Sequence, residues 1–93
     1  MEIEYDPAKR DQVLEERGLD MARCGEAFDG FHLTRRDDKH SDEEDRFISV
    51  GKLDGDVVIM VWTPRDILRR IVTMWKANDN ERKKYEEARK RLE

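Results

Sequence analysis

Alternating and continuous apolar runs predict where the strands of this chain lie. Polar and apolar residues alternate over Glu2–Tyr5, which predicts a short strand. Three longer strands are predicted in the second half of the chain, at Arg46–Lys52, Asp56–Trp62 and Ile67–Trp75. The second of these is apolar at nearly every position, so both of its faces are expected to be covered. We therefore predict that it is the central strand.

Short connections separate the three long strands. Leu53–Gly55 contains the Asp-Gly pair that tight hairpins favour, and Thr63–Asp66 is predicted to turn around Pro64. An antiparallel meander of three main strands follows from these two turns.

Capping residues predict a helix near the start of the chain. Asp6 can cap free amides and Pro7 suits the first helical position, so a helix is expected from Pro7 to Arg17. Gly18 predicts its end, because glycine readily adopts the left-handed conformation of a helix stop.

Two further helices are predicted from similar signals. One is capped by Asp20 and runs to about Phe28, with Leu19 placed to pack on Cys24. The last begins at Asn78 or Asp79 and runs to Leu92. Between them, 29–45 includes eleven consecutive residues with no apolar member, RRDDKHSDEED, and is predicted to be a loop.

These elements predict a single α+β domain over residues 1–93. It consists of two short N-terminal helices, a meander of three main strands with a short N-terminal strand, and a C-terminal helix. A chain of 93 residues that is 37% hydrophobic and 45% charged has enough apolar residues for one small core.

The charge balance differs between the two halves of the chain. The formal net charge is −4, but residues 1–45 hold 7 basic and 15 acidic groups, whereas residues 46–93 hold 12 basic and 8 acidic groups. The second half, at a net of +4, is therefore better suited to meet a polyanion than the whole-chain charge indicates.

Several kinds of chemistry are not expected. The single cysteine, Cys24, permits no internal disulfide and no cysteine-rich zinc site. His32 and His40 flank an acidic loop, yet their spacing matches no metal motif, so we expect no metal and no cofactor. No segment approaches the roughly 20 apolar residues of a membrane helix, and the start MEIEYD lacks a targeting pattern. A cytoplasmic protein without membrane contact is expected.

Basic residues gather at the predicted strand ends and on the last helix. Arginine presents a rigid fork of donors to phosphate oxygens, and aromatic rings nearby can stack on unpaired bases. The residues that could form such an RNA-binding surface are Arg46, Arg65, Arg69, Arg70, Trp75, Lys76, Arg82, Lys83, Lys84 and Tyr85. The alternative is that these arginines are solvated edge charges and that Trp75 belongs to the core.

Three segments resemble one known family. YDPAKRDQVLEERGLDMARCGEAFD is similar to its opening, DEEDRFISVGKLDGDVVIMVWTPR to its central strands, and RRIVTMWKANDNERKKYE to its closing signature. The family is BrnT, the toxin of a type II toxin-antitoxin module. The resemblance implies a fold similar to RelE-type toxins, ribonuclease activity that inhibits translation, and neutralisation by BrnA, an antitoxin of the ribbon-helix-helix class. DNA would be contacted only through the complex with the antitoxin.

The resemblance also indicates candidate site residues. Arg46, Arg65 and Arg70 match arginines of the family, and Glu81, Arg82 and Tyr85 match the start of its final helix. We assign phosphate binding to Arg46, Arg65, Arg70 and Lys76, with assistance from Arg82 or Tyr85.

Two positions depart from the family pattern. Glu16-Arg17 stands where the family often has Lys-His, and Trp75 replaces a usual arginine. The alternative function is therefore a catalytically impaired BrnT-like protein that binds an antitoxin or RNA. A third hypothesis, direct DNA binding through the last helix, is disfavoured because glutamates interrupt its basic residues.

Overall fold

The computed structural model describes residues 2–92 and has an α+β architecture built on a five-stranded sheet. The elements in chain order are β1 (Ile3–Tyr5), α1 (Pro7–Arg17), a 3-10 turn (Met21–Arg23), α2 (Cys24–Asp29), β2 (Leu33–Arg36), a 3-10 turn (Asp38–His40), β3 (Phe47–Leu53), β4 (Asp56–Arg65), β5 (Leu68–Lys76) and α3 (Asp79–Arg91). The strand order is β1-β5-β4-β3-β2, with β1 parallel to β5 and all other pairs antiparallel. The prediction that β4 is the central strand is confirmed.

Strand β2 lies inside the segment that we predicted to be a loop, and that prediction is wrong there. Its four residues are all exposed, so the sequence shows no alternation of apolar and polar positions. Pairing with β3 holds the strand instead, and the Thr34 and Ser49 hydroxyls lie 2.7 Å apart across the pair. The meander therefore has four strands rather than three.

The two hairpin turns both use residues with positive φ. Asp54 (φ 53°) and Gly55 (φ 84°) form the predicted turn between β3 and β4. The turn between β4 and β5 was predicted around Pro64, but Pro64 lies in β4 and pairs with Arg69. The chain reverses after it, at Asp66 (φ 54°).

The predicted caps of α1 are confirmed. The Asp6 carboxylate accepts a hydrogen bond from the amide of Ala8 at 3.0 Å. Gly18 has φ 67°, and its amide donates to the Leu14 carbonyl at 3.0 Å. The second predicted helix is divided, because a 3-10 turn capped by Asp20 precedes α2.

The core fills the space between the helices α1 and α2 and one face of the sheet. Its buried members are Val13, Leu19, Met21, Cys24, Ala27, Phe28, Leu53, Val58, Met60, Trp62, Ile71 and Met74. Gly51 permits close packing here, because a Cβ atom at this position would lie 3.0 Å from the Ala27 carbonyl oxygen. We call this side of the sheet the closed face.

Helix α3 covers only part of the opposite side of the sheet. Its N-terminus has a capping box, in which Asn78 and Glu81 exchange two hydrogen bonds of 2.8 Å. Tyr85 is buried and tilts against Phe31, with ring centroids 5.4 Å apart. The remaining part of this side, which we call the open face, is not covered by a helix.

The β1 strand pairs with only three residues of β5, from Arg69 to Ile71. Beyond them, the Arg17 guanidinium reaches from the end of α1 and donates to the Met74 carbonyl at 2.8 Å and to the Thr73 hydroxyl at 2.9 Å. Within residues 2–92, no helix has the length and apolar character needed to cross a bilayer.

Candidate functional site

The open face carries a cleft of about 520 Å³ at the end of the sheet away from α3. Ile48, Val61 and Trp75 form an apolar floor, because their positions in β3, β4 and β5 bring them to the same side of the sheet. Arg35 of β2 and Arg46 just before β3 stand at its border. An apolar floor beside guanidinium groups suits a ligand that has both flat rings and phosphates.

Two further clefts extend this surface on either side. A cleft of about 350 Å³ shares Arg35 and Ile48 with the first and reaches Tyr85 of α3. Another, of about 580 Å³, shares Val72 and Thr73 with the first and includes Arg70. We call the three neighbouring clefts together the concave path, which extends from α3 across the uncovered part of the sheet to the β5 edge, where Asp6, Lys9 and Arg17 also line it.

The arginines that line these clefts differ in whether a carboxylate pairs with them. Arg36 is paired with Asp38 at 2.7 Å and with Asp45 at 2.9 Å, and these hydrogen bonds, Asp45 foremost, raise its pKa. Among the described residues, Arg35 and Arg46 have no carboxylate within 4.0 Å. The Nε atom of Arg46 is buried and has no hydrogen-bond partner in the described part of the chain. Arg46 is thus a cation that no carboxylate neutralises in the described part of the chain.

The six predicted site residues are not all gathered in one place. Arg46 lines the central cleft, Arg70 the cleft on the β5 side and Tyr85 the cleft on the α3 side. Arg70 is paired with Glu4 of the neighbouring strand β1. Tyr85 donates its hydroxyl to the Phe31 carbonyl at 2.9 Å, and burial raises its pKa, so the phenol stays protonated.

The other three predicted residues lie outside these clefts. Arg65 is exposed at the end of β4. Lys76 lies at the far end of β5, with its Nζ 3.5 Å from Asp56. Arg82 is exposed on the first turns of α3, 3.4 Å from Asp79.

The structure adds two features that the sequence reasoning missed, and both lie in the segment predicted to be a loop. Arg35 reaches the cleft because β2 pairs with β3, and the sequence has no local signal for that pairing. His40 and Asp37 form a pair at the cleft border, with Nδ1 and Oδ2 3.0 Å apart. The Asp-x-x-His spacing on a turn was the available signal for this pair. Within residues 2–92 no three His, Cys, Asp or Glu side chains are grouped to hold a metal ion.

Comparison with known families gives a match. The model of the family described as "Ribonuclease toxin, BrnT, of type II toxin-antitoxin system" matches residues 5–81. This chain belongs to the BrnT family. The match confirms the resemblance and extends from β1 to the first turn of α3, so it includes the central cleft. A search of curated proteins gave no match.

The structure shows where the two residues lie at which we expected departures from the family pattern. Arg17, at the position where the resemblance led us to expect a histidine, donates to the Met74 carbonyl of β5. Trp75, at the position where the resemblance led us to expect an arginine, is half-buried in the floor of the cleft. It provides an aromatic surface there.

Proposed function

We propose that this BrnT-family chain is a metal-independent endoribonuclease and that the open face is its active site. The observation that carries the proposal is Arg46, a guanidinium with no carboxylate within 4.0 Å among the described residues, beside an apolar floor that includes Trp75. Such a floor can take a stacked base while the arginine holds the adjoining phosphate.

The proposed reaction is an internal transfer within RNA. The 2′-oxygen of one nucleotide attacks the adjacent phosphorus as the bond from phosphorus to the 5′-oxygen breaks. The products are a 2′,3′-cyclic phosphate and a 5′-hydroxyl. Arg46 stabilises the negative charge that grows on the phosphoryl oxygens in the transition state.

The remaining predicted site residues have different roles in this proposal. Arg70 binds a neighbouring phosphate along the concave path, in competition with Glu4. Arg65, Lys76 and Arg82 attract the polyanion from outside the clefts. Tyr85 supports the α3 border of the path rather than moving a proton, since its hydroxyl is already bound to the Phe31 carbonyl.

The proposed cellular role is inhibition of translation in the cytoplasm by RNA cleavage. A type II module includes an antitoxin, and we propose a BrnA-like protein of the ribbon-helix-helix class as the partner. DNA is then contacted by the complex rather than by this chain alone. A gel shift on promoter DNA tests this assignment: we expect a band shift only when the partner is present.

Cleavage of a single-stranded RNA in the presence of EDTA tests the catalytic proposal. We expect the wild type to cut the RNA and Arg46→Ala to lower kcat/KM by about 10²- to 10³-fold. Arg89→Ala is the matched control, because Arg89 lies on α3 beside Glu86, outside the clefts described above, and should keep full activity. Circular dichroism verifies that both variants are folded.

A second candidate function is RNA or antitoxin binding without cleavage. The replacement of a usual family arginine by Trp75 and the pairing of Arg70 with Glu4 favour it. Tight RNA binding by the wild type with no product in the assay above would support this candidate and contradict the first.

A further inference from the structure

The Asp37–His40 pair at the border of the central cleft is held by several contacts. The Asp37 side chain is only 12% exposed, and its Oδ2 lies 3.0 Å from Nδ1 of His40. Its backbone amide donates to the Arg46 carbonyl at 2.8 Å, and its carbonyl accepts from the Ser41 hydroxyl at 2.6 Å. The Arg46 amide donates to that same hydroxyl at 3.0 Å. The pair and Arg46 thus share one hydrogen-bonded framework.

The chemistry of the partner fixes the tautomer that we assign to His40. An ionised carboxylate only accepts hydrogen bonds, so the nitrogen beside Asp37 must be the donor. In the neutral imidazole, Nε2 is then left with a lone pair and can accept a proton. The same logic orients the histidine of hydrolases in which aspartate holds Nδ1.

The surroundings of His40 provide access to a substrate. The His40 side chain is 57% exposed and lines the cleft that contains Arg46 and Trp75. The other charged residues that line this cleft are Arg35, Arg36, Asp38 and Lys39. Asp38 is engaged by Arg36, so Asp37 is the carboxylate that contacts the imidazole. Histidine is also the side chain best suited to exchange protons near neutral pH.

We propose that His40 is the general base of the RNA cleavage reaction and that Asp37 is its positioning residue. Nε2 removes the proton from the 2′-hydroxyl as the bond between the 2′-oxygen and phosphorus forms. The bond from phosphorus to the 5′-oxygen breaks, and water supplies the proton that the 5′-oxygen takes. The proposal rests on the endoribonuclease function proposed above.

A purely structural role for the pair makes a different prediction. A contact between residues three apart closes a 3-10 turn, and any donor in place of Nδ1 would then be sufficient. His40→Asn tests this, because its amide can still donate to Asp37 but cannot act as a base. The matched control is His32→Asn: His32 is the other histidine of the chain and contacts the Gly30 carbonyl and the Phe28 ring.

The kinetic measurement separates chemistry from binding. We expect His40→Asn to lower kcat by about 10²- to 10⁴-fold. Its affinity for an RNA that carries a 2′-deoxy group at the cleavage position should stay within about threefold of wild type, since proton removal contributes little to ground-state binding. His32→Asn should keep the wild-type kcat. In His40→Gly, added imidazole should restore cleavage in proportion to its concentration.

Asp37→Asn tests whether Asp37 sets the tautomer of His40. If the pair only closed a turn, this substitution would leave kcat unchanged. The amide can donate to Nδ1, which places the imidazole proton on Nε2, so kcat should fall while RNA affinity is kept. Nitrogen NMR of labelled histidine should show the Nδ1-protonated form of His40 in the wild type and the Nε2-protonated form in Asp37→Asn.

The outcomes distinguish this inference from the proposed function. If the wild type cuts RNA and His40→Asn cuts it equally well, His40 is not the base, although the endoribonuclease function stands. Loss of cleavage that imidazole does not restore, together with weakened RNA affinity, would assign a structural role and overturn the inference. A wild type that binds RNA without cutting it would overturn the proposed function itself.

Discussion

Strand β4 has apolar residues on both faces of the sheet, but the two faces are covered by different elements. On the closed face, Val58, Met60 and Trp62 pack beneath α1 and α2. On the other side, Val57 and Ile59 are also buried, yet within residues 2–92 α3 alone lies over that side. Beyond α3 the apolar surface continues into the cleft bordered by arginines. The comparison shows that an apolar strand face can serve as the floor of a site as well as part of a core.

The largest expected effect is on stability, from a substitution in the closed face. Met60 is fully buried, so Met60→Ala should lower the free energy of unfolding by about 2–5 kcal/mol through lost burial and a cavity. Urea denaturation measures this loss. Below the unfolding transition, RNA cleavage per folded molecule should be unchanged. A fall in specific activity matching the stability loss would show that the two faces are not separable.

The next effect concerns the pH dependence of the closed face. Burial raises the pKa of the Cys24 thiol to about 12. The folded state therefore retains a proton that the unfolded state loses above a pKa of 9.0, so stability is lost as pH rises past that value. The expected loss from this group is about 1–2 kcal/mol at pH 10.

Cys24→Ala is the control for that pH effect. The free energy of unfolding, measured by denaturation between pH 7 and pH 10, should fall less steeply with pH in the variant than in the wild type. Tyr85 and other groups still contribute to this fall in the variant, but the thiol does not. Equal slopes would mean that the Cys24 thiol does not contribute. The folded wild type should also resist thiol reagents at pH 8.

An open-face substitution should alter RNA binding more than folding. Trp75→Leu keeps an apolar floor but removes the ring on which a base can stack, and stacking contributes about 1–3 kcal/mol per base. We expect single-stranded RNA affinity, measured by fluorescence anisotropy, to weaken by about tenfold or more. Unchanged affinity together with a large loss of stability would place Trp75 with the core instead.

The smallest expected effect concerns α3, the helix on the side of the sheet opposite α1 and α2. Asn78→Ala removes the side-chain half of the capping box of α3 and should cost about 1 kcal/mol of unfolding free energy. Thermal denaturation followed by circular dichroism measures it. Cleavage should change by less than threefold, since the central cleft does not include Asn78. A larger change would link the position of α3 to the site.

Local signals predicted the parts of the fold that local forces determine. Asp6 and Gly18 marked both ends of α1, and Asp54-Gly55 marked a hairpin, because caps and tight turns depend on a few neighbouring residues. Strand β2 was missed because its pairing with β3 is non-local and none of its residues is buried. The proline of β4 was misread as a turn because a strand near its end tolerates it.

The candidate site was predictable in its chemistry but only partly in its composition. The sequence identified Arg46 and the basic second half, and family membership supports a ribonuclease. It could not show that Glu4 would engage Arg70, a contact that depends on β1 pairing in parallel with β5. Arg35 was overlooked and His40 was considered only as a metal ligand, because the long-range pairing of a polar segment brings both to the cleft.

The contact between the Arg17 guanidinium and β5 has a consequence for self-association. An uncovered strand edge can pair with the edge of another molecule and start aggregation. Strand β1 protects only three residues of β5, and the Arg17 guanidinium occupies the Met74 carbonyl just beyond them. A positively charged side chain at this place also repels a second copy of the same edge. One residue at the end of a helix thereby engages a carbonyl of β5 that β1 leaves uncovered.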